Sequence, residues 1–226
     1  MMTASHKRSG EGGMTLLAVM AVMAVFAIGL MAVAPSIQQE IQREKELESI
    51  RRGEEVAEAI RQYVEFYRGA RLPSSMDDLL EGLPMGTKKR AILRASAAID
   101  PLTEDGEWGL VKPDVNSIGN FARRVQNYNG GTLPSNPSSV FDRYSVLVMN
   151  SLDLETEEDI EGPDDSIDLA TDNTPFIGVA SRSRSKSVIS YYGAENHSKW
   201  VFTPLFRGTG TANQRFRTTP PRPISR

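Results

Sequence analysis

Apolar and polar positions divide the chain into three stretches. Residues 14–34, MTLLAVMAVMAVFAIGLMAVA, carry no charge and hold 19 apolar residues out of 21. A bilayer core of ~30 Å needs roughly 20 such residues at 1.5 Å rise, so the pattern predicts a transmembrane helix over 14–35. Lys7 and Arg8 precede the run, and the positive-inside rule places the N-terminus in the cytoplasm and everything after Ser36 outside. A secretory signal peptide is the competing reading. It fits less well, because its apolar core is usually ~7–15 residues and Ala32-Val33-Ala34 before Pro35 matches a cleavage site only loosely.

From Ser36 the pattern becomes amphipathic without an intervening loop, predicting a second helical stretch over 36–69. Ile50, Ala57 and Val64 lie seven apart, with Ile60 and Tyr67 on the adjacent line and Leu47 and Phe66 widening the stripe. Glu40, Glu44, Arg51, Glu54 and Glu58 make the expected solvated face. Pro35 interrupts this continuity and should kink the helix by removing one backbone bond. If continuous, Met14 to Arg68 is 55 residues, roughly 80 Å of helix.

The third stretch, 70–206, alternates turn signals with short β patterns. Ser74 or Ser75 should cap a short helix with Asp77 and Asp78 in its first turn. Asp100-Pro101 and Asp105-Gly106 set turns around a strand at 107–111. Tyr144–Met149, Phe176–Ala180 and Ser187–Tyr192 read as strands, the last two joined as a hairpin through SRSRSK, with Lys199–Phe202 as a third. These elements predict an α+β fold in which the long N-terminal helix packs on a small antiparallel head.

Composition narrows the chemistry. The chain has 226 residues and a formal net charge of −3, but no cysteine, which excludes disulfides, thiolate metal sites and cysteine nucleophiles. His6 and His197 are its two histidines, too few for a multi-histidine metal site. His197 is the one base left for a Ser-His-Asp arrangement if the N-terminus is removed; no GxSxG elbow accompanies it, and it reads as a surface residue beside a turn. No phosphate-binding loop occurs.

The small net charge conceals a separation. Residues 153–172, DLETEEDIEGPDDSIDLATD, hold ten acids and no base. They read as a solvated acidic loop, with calcium on Asp159, Asp164, Asp165 and Asp168 as the sharper alternative, although the EF-hand spacing is absent. From Arg182 to Arg226 there are nine basic residues against Glu195. Nucleic-acid binding is the weaker reading of this basic end, because its interleaved aromatics suit a β core better. Contact between acidic loop and basic tail across neighbouring subunits is the alternative. Residues 207–226, rich in Gly and Pro, read as a basic flexible tail.

The leader MMTASHKRSGEGG, basic and ending in glycine, followed by an apolar helix with Pro35 near its end, resembles the class III signal of type IV pilins and type II secretion pseudopilins. The resemblance implies cleavage after Gly13 by a prepilin peptidase, N-methylation of Met14, and Pro35 as the helix-kinking residue. It also implies a pilin-like fold without cofactor, a structural rather than enzymatic role, and placement in a bacterial inner membrane with the head in the periplasm. Partners implied are other pilin-like subunits, an inner-membrane assembly platform and membrane lipid. The sequence departs from the family at Ala18, where a glutamate is usual. LPSSMDDLL and DPLTEDGEWGLV resemble later family elements at lower specificity. The expected function is a structural subunit of a secretion pseudopilus or related filament. The alternative, favoured by Ala18, is a membrane-anchored adaptor that does not polymerise.

Overall fold

The computed structural model describes residues 11–146, 169–170 and 174–208. The chain divides into two compact units, Met1–Lys45 and Glu46–Arg226. One helix, α1 (Glu11–Phe66), contributes to both.

In the first unit α1 is rich in Ala, Met and Leu, strong helix formers that outweigh its interspersed valines, and the helix runs through Pro35 without a break. Residues 13–29 are all exposed, among them Leu17 at 72% and Phe26 at 67%. Among the described residues no helix is long and apolar enough to cross a membrane. This overturns the expected transmembrane helix over 14–35 and, with it, the single-pass inner-membrane placement with cytoplasmic N-terminus and periplasmic head.

In the second unit α1 supplies one wall of the core. Ile50, Ala57, Val64 and Ile60 are buried as their spacing predicts, joined by Val56, Ala59 and Tyr63. Leu47 and Phe66, expected to widen the stripe, are instead 42% and 44% exposed, while Glu46 and Ser49 are fully buried. Gly53 faces the head, where an added Cβ would stand 2.3 Å from Phe202 Cδ2; only glycine permits that approach. The helix ends where Arg68 and Gly69 adopt positive φ and the Gly69 amide donates to Val64 O at 2.8 Å.

α2 (Met76–Glu81) follows, capped at Ser75 by a reciprocal box with Asp78. β1 (Leu83–Met85) and β2 (Lys88–Arg90) form an isolated hairpin. The strand expected at 107–111 is present as β3 (Gly109–Val111). Asp100 Oδ1 accepts from the Leu102 amide and Asp105 Oδ1 from the Glu107 amide, giving the two turns before it. α3 (Val115–Tyr128), capped by Asp114 and burying Ile118, Phe121, Ala122 and Val125, stands where the sequence predicted only strands and connections.

β4 (Leu169–Ala170) and β5 (Gly178–Ala180) flank β3, and β8 (Val201–Phe202) completes an antiparallel sheet of order β4-β3-β5-β8. β6 (Lys186–Tyr191) does not form a hairpin with β5 as predicted. It pairs with β7 (Ala194–Asn196) through a tight turn at Tyr192 and Gly193, both at positive φ. The strand predicted at 144–149 is also corrected, since residues 142–146 are helical. Ser138 caps the 3-10 turn before them, and Asn136 Nδ2 donates to Asp142 and Ser145, so side-chain bonds to the local backbone and neighbours outweigh β propensity.

The result is a mixed α+β unit with small antiparallel sheets. Trp200, Phe141, Phe176, Phe202 and Leu205 fill its core, each stabilising the fold by about 1.5–3 kcal/mol on burial.

Candidate functional site

The most concentrated chemistry in the second unit surrounds His197. The chain enters a 3-10 turn, His197–Lys199, directly after β7, with Asn196 Oδ1 accepting from the Ser198 amide as its cap. That turn drives the imidazole inward: His197 is 2% exposed, with its ring edge against Trp200 at 5.0 Å between centroids. The expected surface histidine is therefore a core residue.

Its partner is Glu46 on α1. Glu46 Oε1 lies 2.9 Å from His197 Nε2, and the same carboxylate accepts from the Val188 amide at 2.9 Å and the Ile189 amide at 2.7 Å. A charge removed from water this completely needs such partners, because desolvation otherwise costs several kcal/mol. One side chain thus joins α1, strand β6 and the 3-10 turn.

His197 Nδ1 faces Ser183 Oγ at 3.2 Å. A neutral ring donating from Nε2 to Glu46 accepts at Nδ1 from the serine hydroxyl. Serine, imidazole and carboxylate thus stand in line, an order that supports general-base chemistry in hydrolases. Here the carboxylate is already occupied by two amides. One open cavity of about 620 Å³ among the described residues is lined by Arg124, Tyr128, Tyr192 and Lys199 among others, and by none of Ser183, His197 or Glu46. The arrangement holds secondary structure in register.

A second buried carboxylate continues the polar seam. Asp100 is 1% exposed and accepts from Ser181 Oγ at 2.7 Å and Ser49 Oγ at 3.3 Å. Burial pushes its pKa up, against the lowering effect of the Leu102 amide and the two hydroxyls. Ser181 Oγ also accepts from the Ser183 amide, which brings the Asp100 group to the loop carrying Ser183.

About two turns beyond Glu46 on α1, Glu54 accepts from Tyr191 Oη at 2.5 Å and pairs with Arg207. Glu54 was expected on the solvated face, and Arg207 in the flexible tail. Arg207 Nε instead donates to Thr203 O at 2.5 Å. Burial works against its charge, but Glu54 and Tyr191 outweigh that effect and its pKa is raised. Burial and the Glu54 charge raise the Tyr191 phenol well above its ordinary value.

Of the processing residues, Gly13 has open space where a Cβ would stand and Met14 is 80% exposed; both lie in the first turns of α1, with Ala18 exposed beyond them. The calcium candidates Asp159, Asp164, Asp165 and Asp168 lie outside the described residues, as does most of 153–172 and everything after Gly208. Among the described residues no group of three or more His, Cys, Asp or Glu could hold a metal ion. Sequence reasoning missed Glu46, Ser183 and Asp100 as partners of a buried seam. No local signal singles them out: Glu46 falls three and four residues before Ser49 and Ile50, a spacing that suits the edge of a solvated face as well as the buried stripe. No family model, curated protein or solved structure matches the chain.

Proposed function

We propose that the chain is a structural assembly subunit of the pilin-like type, which joins other copies through the apolar part of α1 and displays the α+β head. The observation that carries this reading is the solvent exposure of one charge-free helical surface: Met14, Leu16, Leu17, Met20, Met23, Phe26 and Ile28 are each more than 60% exposed. Contiguous apolar surface of this kind marks an interaction site. Covering it returns roughly 25 cal/mol per Å², and ridges of side chains on one helix fit the grooves of another. Glu46 and Glu54, bonded to β6 and to Arg207, fix the remainder of the same helix within the head unit. The resemblance of the leader to a class III signal supports the pilin subtype, with Gly13 and Met14 as the processing pair.

Two measurements test it. Electron microscopy and sedimentation of the full chain should show filaments or oligomers of defined size; a monomer, or only heterogeneous aggregate, rejects assembly. Mass spectrometry of the protein from its native host should find Met14 at the N-terminus, N-methylated, with Gly13→Ala blocking cleavage. An intact N-terminus at Met1 or Met2, or cleavage near Ala34, rejects the pilin subtype.

A further inference from the structure

We propose that the β1–β2 hairpin is a docking knuckle for the acidic segment 153–168 of a second copy. The hairpin projects three successive cations, Lys88, Lys89 and Arg90, all exposed along β2. Its base is fixed: Leu83 is 5% exposed, and Gly82, at φ +79, sits so close to Arg90 O that an added Cβ would stand 2.2 Å away. Gly86 at φ +65 closes the tip. The cations therefore ride on a positioned ribbon.

Their own surroundings compensate them poorly. Lys89 Nζ meets Glu81 at 2.6 Å, a pair in which both side chains are more than half exposed. Lys88 and Arg90 make no ion pair among the described residues, while nearby Arg71 and Arg94 take up Asp78 and Glu55. Met85, opposite Lys88 in register, leaves an apolar side chain 58% exposed beside them. The complementary chemistry is in the same sequence. Residues 153–168, which precede β4, carry nine carboxylates without a base, interrupted by Leu154, Ile160 and Ile167, which suit an apolar contact within a cationic one.

The contact joins two different surfaces, so it is heterologous. Heterologous contacts repeated between copies give rings or open helical arrays. Charge complementarity of this kind sets orientation and approach rate more than net affinity. The proposal rests on the assembly reading for its second copy, but its test does not require a filament.

A labelled synthetic peptide of residues 153–168 is titrated against the full chain by fluorescence anisotropy. Expected are saturable binding that weakens about tenfold between low salt and about 0.3 M salt, and a further loss of about tenfold or more in Lys88→Glu with Arg90→Glu. A control reversing Arg43 and Lys45 on α1 changes net charge equally and should bind as the parent does. Thermal melting of both doubles alongside the parent shows that the heads are folded. Equal weakening in the two doubles, or no binding at low salt, overturns the proposal. So does a single-stranded oligonucleotide or an anionic vesicle that binds through the hairpin while the peptide does not. If the peptide behaves as expected but the chain stays monomeric, only the assembly reading fails.

Discussion

The two ends of α1 invert the usual relation between polarity and burial. Over residues 13–29 every side chain is exposed although the stretch is almost wholly apolar, whereas from Glu46 to Val64 the helix buries a carboxylate and Ser49 beside its aliphatic residues. Placement follows the partners available. The head offers Glu46 two amides and an imidazole, and the side chains of 13–29 are exposed. One helix thus carries an attachment completed within the head unit and an apolar stretch whose side chains are exposed.

The strongest way to break that contrast is to remove Glu46. Glu46→Ala leaves the Val188 and Ile189 amides without their acceptor and strips His197 Nε2 of its partner. A loss of about 3–5 kcal/mol in head stability is expected, measured by urea denaturation of the full chain. A loss below about 1 kcal/mol would show that water or other groups replace the carboxylate, and the clamp would be dispensable.

Gly53→Ala tests the same attachment through packing. The new Cβ would meet the Phe202 ring at 2.3 Å, so helix or sheet must shift, at a cost of about 1–3 kcal/mol. Equal melting of variant and parent would mean that α1 and β8 do not meet as closely as described.

These residues also show how far the sequence could be read. The line Ile50, Ala57, Val64 and the Ser75 cap were legible because both are local: one depends on helical period, the other on a four-residue hydrogen-bonding motif. β3 was legible because Asp105-Gly106 marks its start. α3 was obscured by Gly119 and Asn120 in its interior, poor helix formers that burial of Phe121 and Val125 overrides. The seam of Glu46, Asp100, Ser183 and His197 was illegible for a different reason. Its members stand up to 151 residues apart, and a lone glutamate or histidine has the same local pattern whether it faces solvent or core.

A smaller effect separates surface charge from the buried clamp. Glu48 sits two residues from Glu46 but is partly exposed, and hydrogen bonds from Arg51 and then Arg52 hold its carboxyl down at about 2. A depressed carboxylate stabilises the fold above its unfolded pKa, near 4.5, and loses that contribution as pH falls towards about 2. Solvent screening limits it to about 0.5 kcal/mol. Glu48→Gln should therefore be slightly less stable than the parent at neutral pH, with the gap closing between those two values. A gap that persists at the acid end would assign the loss to packing.

The least effect on head stability is expected at the other end of the helix, and that is its diagnostic value. Leu17→Ser with Phe26→Ser changes two side chains that are 72% and 67% exposed, so the head should melt within about 0.5 kcal/mol of the parent. The same pair should reduce or abolish self-association in sedimentation, since it replaces apolar contact area with hydroxyls that a close helix interface leaves unpaired. Loss of head stability would mean that the stretch packs on its own chain; unchanged association would mean that copies meet elsewhere. Only unchanged melting combined with lost association supports the division of labour along α1, because a surface kept for another molecule contributes nothing to the fold that displays it.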